Sequence, residues 1–257
     1  MDITPMLHKI ESLSVMDSRK ALVFIPGLGT EEKPIGGKYI DAILKSGWDG
    51  EIYYLRWNSS KSESILESFA EGVAAGSSGG PLTAIPAGFV SLSSKFSKIR
   101  KAAKNTGRKY LPKTLQDQLP DKRITFVARS LGAYMVYKIF KASDDYPISN
   151  PIDDVILLGG ALSKKKKKWE RTHFRSLINV YNRHDKVLKA WKYGMRTLGI
   201  KLPKSPCGRH PVKDKYISSV VNIDMSDIIG NSHSNYHTVF LSGILRYDGK
   251  CWNVKNQ

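Results

Sequence analysis

The sequence predicts an α/β fold: a mostly parallel sheet with helices on both faces. Three observations carry this. Short runs of apolar and β-branched residues recur along the 257 residues, among them ALVFI (21–25), ITFV (124–127), DVILL (154–158) and LINVYN (177–182). Such runs suit strands buried on both faces, as in a parallel sheet. Two of them end in glycine turns, PGLGT after residue 25 and GGALS after residue 158. Between the runs, residues 38–46 and 134–140 place apolar side chains at helical spacing, so β and α alternate.

In chain order, residues 1–18 read as an amphipathic lead-in helix, and 21–25 as the first strand of the parallel set. Lys38 to Ser46 reads as a helix ended by Gly47, and Glu51 to Trp57 as the next strand. Residues 58–120 then interrupt the rhythm and are expected to form an inserted lid or membrane-surface segment within a single domain spanning 1–257. Ile65, Leu66, Phe69 and Val73 fall at helical spacing, and no charged residue occurs from Gly72 to Ser94. Five glycines, five serines and two prolines in that span make it a poor membrane-crossing helix. Its end is basic and amphipathic, with Lys95, Lys98, Arg100, Lys101, Lys104, Arg108, Lys109 and Lys113 among Phe96, Ile99, Tyr110 and Leu111. Two helices packed across the top of the sheet are the alternative. Residues 189–215, basic and carrying Pro203, Pro206 and Pro211, read as an excursion outside the core. Tyr216 to Ile223 is the last strand.

The chemistry centres on Ile124 to Ile139, read as strand, sharp turn and helix with Ser130 at the apex of Ala128-Arg129-Ser130-Leu131-Gly132. This turn resembles the nucleophile elbow of α/β-hydrolases, G-x-S-x-G, with Ala128 in place of the first glycine. An elbow needs an oxyanion loop upstream, then an acid and a histidine downstream. The Pro26-Gly27-Leu28-Gly29-Thr30 turn supplies the first, with the backbone N–H groups of Leu28 and Leu131 as the two donors. Asp185 follows a strand end, where the acid belongs, although an aspartate opening a helix reads the same way. His233 stands in the polar loop after the last strand, with His237 as the alternative.

Formal charge is +18, from 41 Lys and Arg against 23 Asp and Glu with histidine neutral. Such an excess favours an anionic partner. Lys164, Lys165, Lys166, Lys167 and Lys168, followed by Trp169, come directly after a strand and hence on the rim that carries Ser130. They are the candidate contacts with an anionic membrane surface. Aromatics interleave with basic residues near Tyr110, Trp169 and Trp191, but no nucleic-acid-binding signature accompanies them, so nucleic acid is not the expected partner. Two cysteines, Cys207 and Cys251, make no disulfide framework, and Met1 to Ser18 contains no apolar core of signal-peptide length. The expected location is the cytoplasm or a membrane periphery, or export without a cleaved signal.

Taken together, FIPGLGT, VARSLGA, DVILLGGA, NVYNRHDKVL and SHSNY resemble the catalytic domain of α/β-hydrolases related to transmembrane and coiled-coil domain protein 4, over residues 20 to 240. The resemblance implies Ser130 as nucleophile, Asp185 as acid and His233 as base, the last from its H-S-x-Y context. The expected function is a serine hydrolase of carboxylic esters, a lipase or phospholipase at an anionic membrane, needing no metal or cofactor. A soluble esterase or thioesterase, and a non-catalytic binding module on the same scaffold, are the competing readings.

Overall fold

A computed structural model of the chain describes residues 5–12, 15–28, 37–57, 87–141, 147–163, 174–189, 205–212, 220–247 and 252–254. Seven strands form the main sheet: β1 (Met6–Ile10), β2 (Asp17–Ile25), β3 (Gly50–Arg56), β4 (Arg123–Arg129), β5 (Ile152–Leu158), β6 (Phe174–Tyr181) and β7 (Val220–Asp224). Their spatial order is β1-β3-β2-β4-β5-β6-β7. All neighbours are parallel except β1, which pairs antiparallel with β3 at the edge.

The apolar runs behave as a doubly buried sheet requires. Ala21, Val23 and Ile25 of β2, with Phe126 and Ala128 of β4, pack into one core layer. Leu22, Phe24 and Val127 point into the other. Helix α1 (Gly37–Leu44) covers the second face through Tyr39, Ile40 and Ile43. On the first face lie α2 (Ala87–Asn105), α3 (Leu111–Gln118) and α4 (Leu131–Lys141), the helix that follows Ser130. A mostly parallel sheet with one antiparallel edge strand, helices on both faces and a strand–turn–helix from its central strand is the α/β-hydrolase fold.

From Phe96 to Leu119 the apolar side of this stretch is buried in the core layer that also holds α4, and α2 and the π-helical turn after it contact α4 directly. Ile99, Ala103, Gly107, Leu111, Leu115 and Leu119 recur at every fourth residue and all are buried. In an unbroken α-helix that spacing rotates by roughly 40° per step and would soon leave the core. The π-helical turn Thr106–Tyr110 between α2 and α3 takes up the drift, because its wider turn accommodates the extra residue. Residues 58–86 of the insertion lie outside the described residues. Among the described residues, no helix is long and apolar enough to cross a membrane.

Two sequence expectations are corrected. Within residues 1–18, Met6–Ile10 is a strand rather than part of a helix, because its pairing with β3 satisfies the N–H and C=O groups that an open sheet edge would leave unpaired. Residues 205–212, expected as part of an excursion, are pinned into the core. The side chain of Asn179 donates to the carbonyls of Cys207 and His210, each at 3.2 Å. Asn222 pairs with both backbone groups of Val212, at 2.7 and 3.0 Å. Prolines made the segment look irregular, but the buried Asn179 on β6 and Asn222 at the β7 edge fix its backbone. A two-stranded hairpin, β8 (Leu245–Tyr247) with β9 (Trp252–Val254), adds an element that the sequence reading lacked.

Candidate active site

Ser130 stands where β4 gives way to α4, with φ of 51°, one of two non-glycine residues in the left-handed region among those described. That conformation costs of order 1–2 kcal/mol. The surroundings enforce it: the Ser130 N–H donates to Leu158 O at 2.9 Å, and its carbonyl accepts from Ala161 N–H at 2.9 Å and Ala133 N–H at 3.2 Å. Small neighbours complete the turn. A side chain on Gly27 would meet Ser130 Cβ at 2.8 Å, and one on Gly132 would meet the carbonyl oxygen of Ile25 at 2.3 Å. Ala128, fully buried, shows that a methyl fits at the first small position of the elbow.

Three distant side chains meet at this point. His233 Nε2 lies 2.9 Å from Ser130 Oγ, and His233 Nδ1 lies 2.6 Å from Asp185 Oδ2. Asp185 is held in turn by the N–H of Leu188, which donates to Oδ1 at 2.8 Å. Ser130, His233 and Asp185 are all buried. A carboxylate accepting from Nδ1–H leaves Nε2 free to accept a proton from the hydroxyl, so the chain can pass a proton from oxygen to nitrogen.

A wider set of contacts fixes the two loops. Asn182, fully buried at the end of β6, donates through Nδ2 to Gly230 O at 2.7 Å and Ser232 O at 3.2 Å. Its Oδ1 accepts from His184 N–H at 2.8 Å, and its own N–H donates to Gly208 O at 2.9 Å. One side chain thus ties the turn bearing the acid to the loop bearing the histidine. The Tyr236 hydroxyl reaches Asp185 Oδ2 and Gly208 O, each at 3.3 Å. Burial first, and then the Asp185 charge, raises the Tyr236 hydroxyl well above the usual tyrosine range and keeps it a donor. On the other side, Tyr39 OH donates to Ser234 O at 2.7 Å. The buried Arg129 guanidinium sits over the Tyr39 ring, 5.2 Å from its centroid, and donates to Ser234 Oγ at 3.3 Å.

Of the sequence candidates, Ser130, Asp185 and His233 come together. His237 does not join them: its ring lies edge-on to Tyr39 with centroids 5.6 Å apart. Leu131 opens α4, so its N–H is among those a helix leaves without an internal partner, and Leu28 follows the glycine packed against Ser130. Residues 164–169 lie outside the described residues. Asn182, Tyr236 and Arg129 were not singled out in the sequence, although each lies within four residues of one that was. Cys207 beneath the site is buried, which pushes its thiol up to about 12 and leaves it no nucleophilic character at neutral pH. Among the described residues, no group of three or more His, Cys, Asp or Glu side chains could hold a metal ion.

A family described as a protein of unknown function (DUF726) matches residues 47–247. No curated protein matches the chain. Solved structures similar to it include an α/β serine hydrolase without lid from Xanthomonas campestris, at 9% identity and a TM-score of 0.42, covering 93% of this chain and 87% of that one. A dienelactone hydrolase-like promiscuous phosphotriesterase from metagenomic libraries aligns at 10% identity and a TM-score of 0.43, covering 94% of this chain and 96% of that one. A Pyrococcus furiosus esterase aligns at 12% identity and a TM-score of 0.42, covering 88% and 80%.

Proposed function

The chain belongs to the DUF726 family, and we propose that it is a serine hydrolase of carboxylic esters, with Ser130 as nucleophile, His233 as base and Asp185 as acid. The observation that supports this is the continuous hydrogen-bonded series at 2.9 and 2.6 Å, built on a strained serine whose backbone the fold holds in place. In the proposed reaction, His233 Nε2 takes the Ser130 proton as Oγ bonds to the acyl carbon. The carbonyl electrons move onto oxygen, where the N–H groups of Leu28 and Leu131 are assigned to receive the charge. Collapse expels the alcohol with the proton from His233 and leaves an acyl-serine. Water then gives a proton to the same histidine as its oxygen bonds to the acyl carbon, and collapse breaks the bond to Ser130 Oγ, which takes the proton back from His233 as the acid leaves. Asp185 stays ionised throughout and stabilises the imidazolium. The chemistry requires no metal or cofactor.

A finer reading completes the proposal: a lipase or phospholipase acting at an anionic membrane surface, akin to α/β-hydrolases related to transmembrane and coiled-coil domain protein 4. Ser130 and His233 are buried, which favours a covering element over the site, and that lid role is proposed for residues 58–120 within one domain of 1–257. Lys164, Lys165, Lys166, Lys167, Lys168 and Trp169 are proposed as peripheral membrane contacts, giving a protein of the cytoplasm or membrane periphery. The decisive test is covalent labelling by a fluorophosphonate probe. Labelling of wild type that disappears in Ser130→Ala is expected, and a folded wild type that takes no label would end the enzyme reading.

A further inference from the structure

The stretch from 87 to 120 carries eight basic residues and a single acid, Asp117. The fold sorts them. With Phe96, Ile99, Ala103, Leu111 and Leu115 turned into the core, Lys98, Lys101, Lys104, Lys109 and Lys113 are all exposed on the outer side of α2, the π turn and α3. Among the described residues, none of the five lysines has an ion-pair or side-chain hydrogen-bond partner. The π turn that keeps the apolar ladder facing inward also keeps this basic side facing outward, because the two series share one rotation. At about 1.5 Å per residue, the ridge from Lys98 to Lys113 is roughly 22 Å long.

We propose that this helical ridge is the face that docks on an anionic lipid bilayer. The inference rests on the membrane-surface reading above and deepens it by naming the side that touches lipid. Three observations favour a bilayer over a macromolecular partner. Five of the six exposed charges between residues 98 and 113 are lysines, with Arg108 the sixth, and lysines are compact point charges suited to a diffuse field rather than to bidentate reading of bases or phosphates. The one exposed large hydrophobic between residues 98 and 113 is Tyr110, half exposed, and tyrosine suits a headgroup interface. The other exposed large hydrophobics among the described residues, Met6, Val15, Met16, Ile228 and Leu241, lie in other elements, so the ridge has no apolar centre on which a protein partner would anchor. The ridge is carried on the elbow helix α4, with the Arg100 guanidinium over the Tyr134 ring, so docking orients the serine-bearing part of the molecule relative to the lipid.

The test is flotation of the full chain with vesicles of phosphatidylcholine alone, and with an equimolar mixture of phosphatidylcholine and phosphatidylserine. Binding only to the mixture is expected. Each lysine near such a surface is worth about five-fold in partitioning, so the variant K98Q/K101Q/K104Q/K109Q/K113Q should lose on the order of a thousand-fold, and at least about a hundred-fold with screening. The same variant, checked by circular dichroism, should take the fluorophosphonate label as wild type does, since none of the five lysines touches Ser130, His233 or Asp185. Wild type that floats with neither vesicle, or equally with both, overturns the proposal, as does a variant that floats within about three-fold of wild type. Tighter retention by duplex DNA than by the anionic vesicles at the same salt also overturns it and assigns the ridge to nucleic acid. Flotation that behaves as expected in a protein that takes no label leaves the docking face standing while the hydrolase reading falls.

Discussion

Replacing Asn182 by alanine should disable the site without touching any of the three residues proposed to react. The amide joins two loops: Nδ2 holds Gly230 O at 2.7 Å and Ser232 O at 3.2 Å on the histidine side, while Oδ1 holds His184 N–H at 2.8 Å on the acid side. Removing it leaves the half-buried carbonyls of Gly230 and Ser232 and the N–H of the exposed His184 without this partner. Water reaches these groups in part, so the expected loss of stability is about 1–2 kcal/mol, read as a lower urea midpoint with the slope unchanged. The loss in rate should be larger than that in stability suggests. His233 is the residue after Ser232, and a shift of about 1 Å in such a group costs about a hundred-fold in rate. The assay is the second-order rate of fluorophosphonate labelling, measured on folded protein at low temperature. Asn182→Asp, which keeps an acceptor for His184 but loses the donor to Gly230 and Ser232, should label slowly too. If Asn182→Ala is destabilised as expected yet labels within about three-fold of wild type, the tether is structural only and the positioning argument fails.

Two further predictions concern the sheet. Gly132→Ala would place a methyl 2.3 Å from the backbone oxygen of Ile25, which cannot rotate away, so the variant should lose more than about 3 kcal/mol or fail to fold, whereas Ala128→Gly should cost about 1 kcal/mol. Urea unfolding of both variants checks the contrast, and a stable Gly132→Ala would refute the close-approach account. At the opposite end of the strands from Ser130, burial pushes the Glu51 carboxyl up, but bonds from Lys122, Lys9 and Tyr53 outweigh it and bring its pKa down to about 2. A folded-state value below the ordinary 4.5 means that the unfolded chain takes up the proton first as pH falls. Stability from this knot is therefore complete above about pH 5 and lost between about pH 4.5 and 2, by about 1–2 kcal/mol after solvent screening. Glu51→Gln should be less stable than wild type at pH 7, with the gap narrowing as pH falls from about 4.5 and closed only near pH 2 in urea melts. A gap that persists at acid pH would show that packing, not charge, is responsible.

Much of the architecture is written locally. ALVFI, ITFV, DVILL and LINVYN can be little other than buried strands, because residues apolar on both faces have no solvent side to present. The elbow is equally legible as a serine between small residues after an apolar run, with Gly132 letting α4 approach the backbone of Ile25 on β2. Those features, and the order of serine, aspartate and histidine along the chain, depend on neighbours in sequence, and the sequence alone determined them. Meeting in space is a different matter. Ser130, Asp185 and His233 converge because β4, β6 and β7 run parallel and all end at one rim, a consequence of strand order that no single window encodes. Met6–Ile10 became a strand because β3 had an open edge, and residues 205–212 became core because asparagines on β6 and β7 reached across to them. Likewise, the choice of His233 over His237 and the tie made by Asn182 were decided only by tertiary structure, since a histidine in a loop and a buried asparagine acquire their roles from partners about fifty residues or more away in the chain.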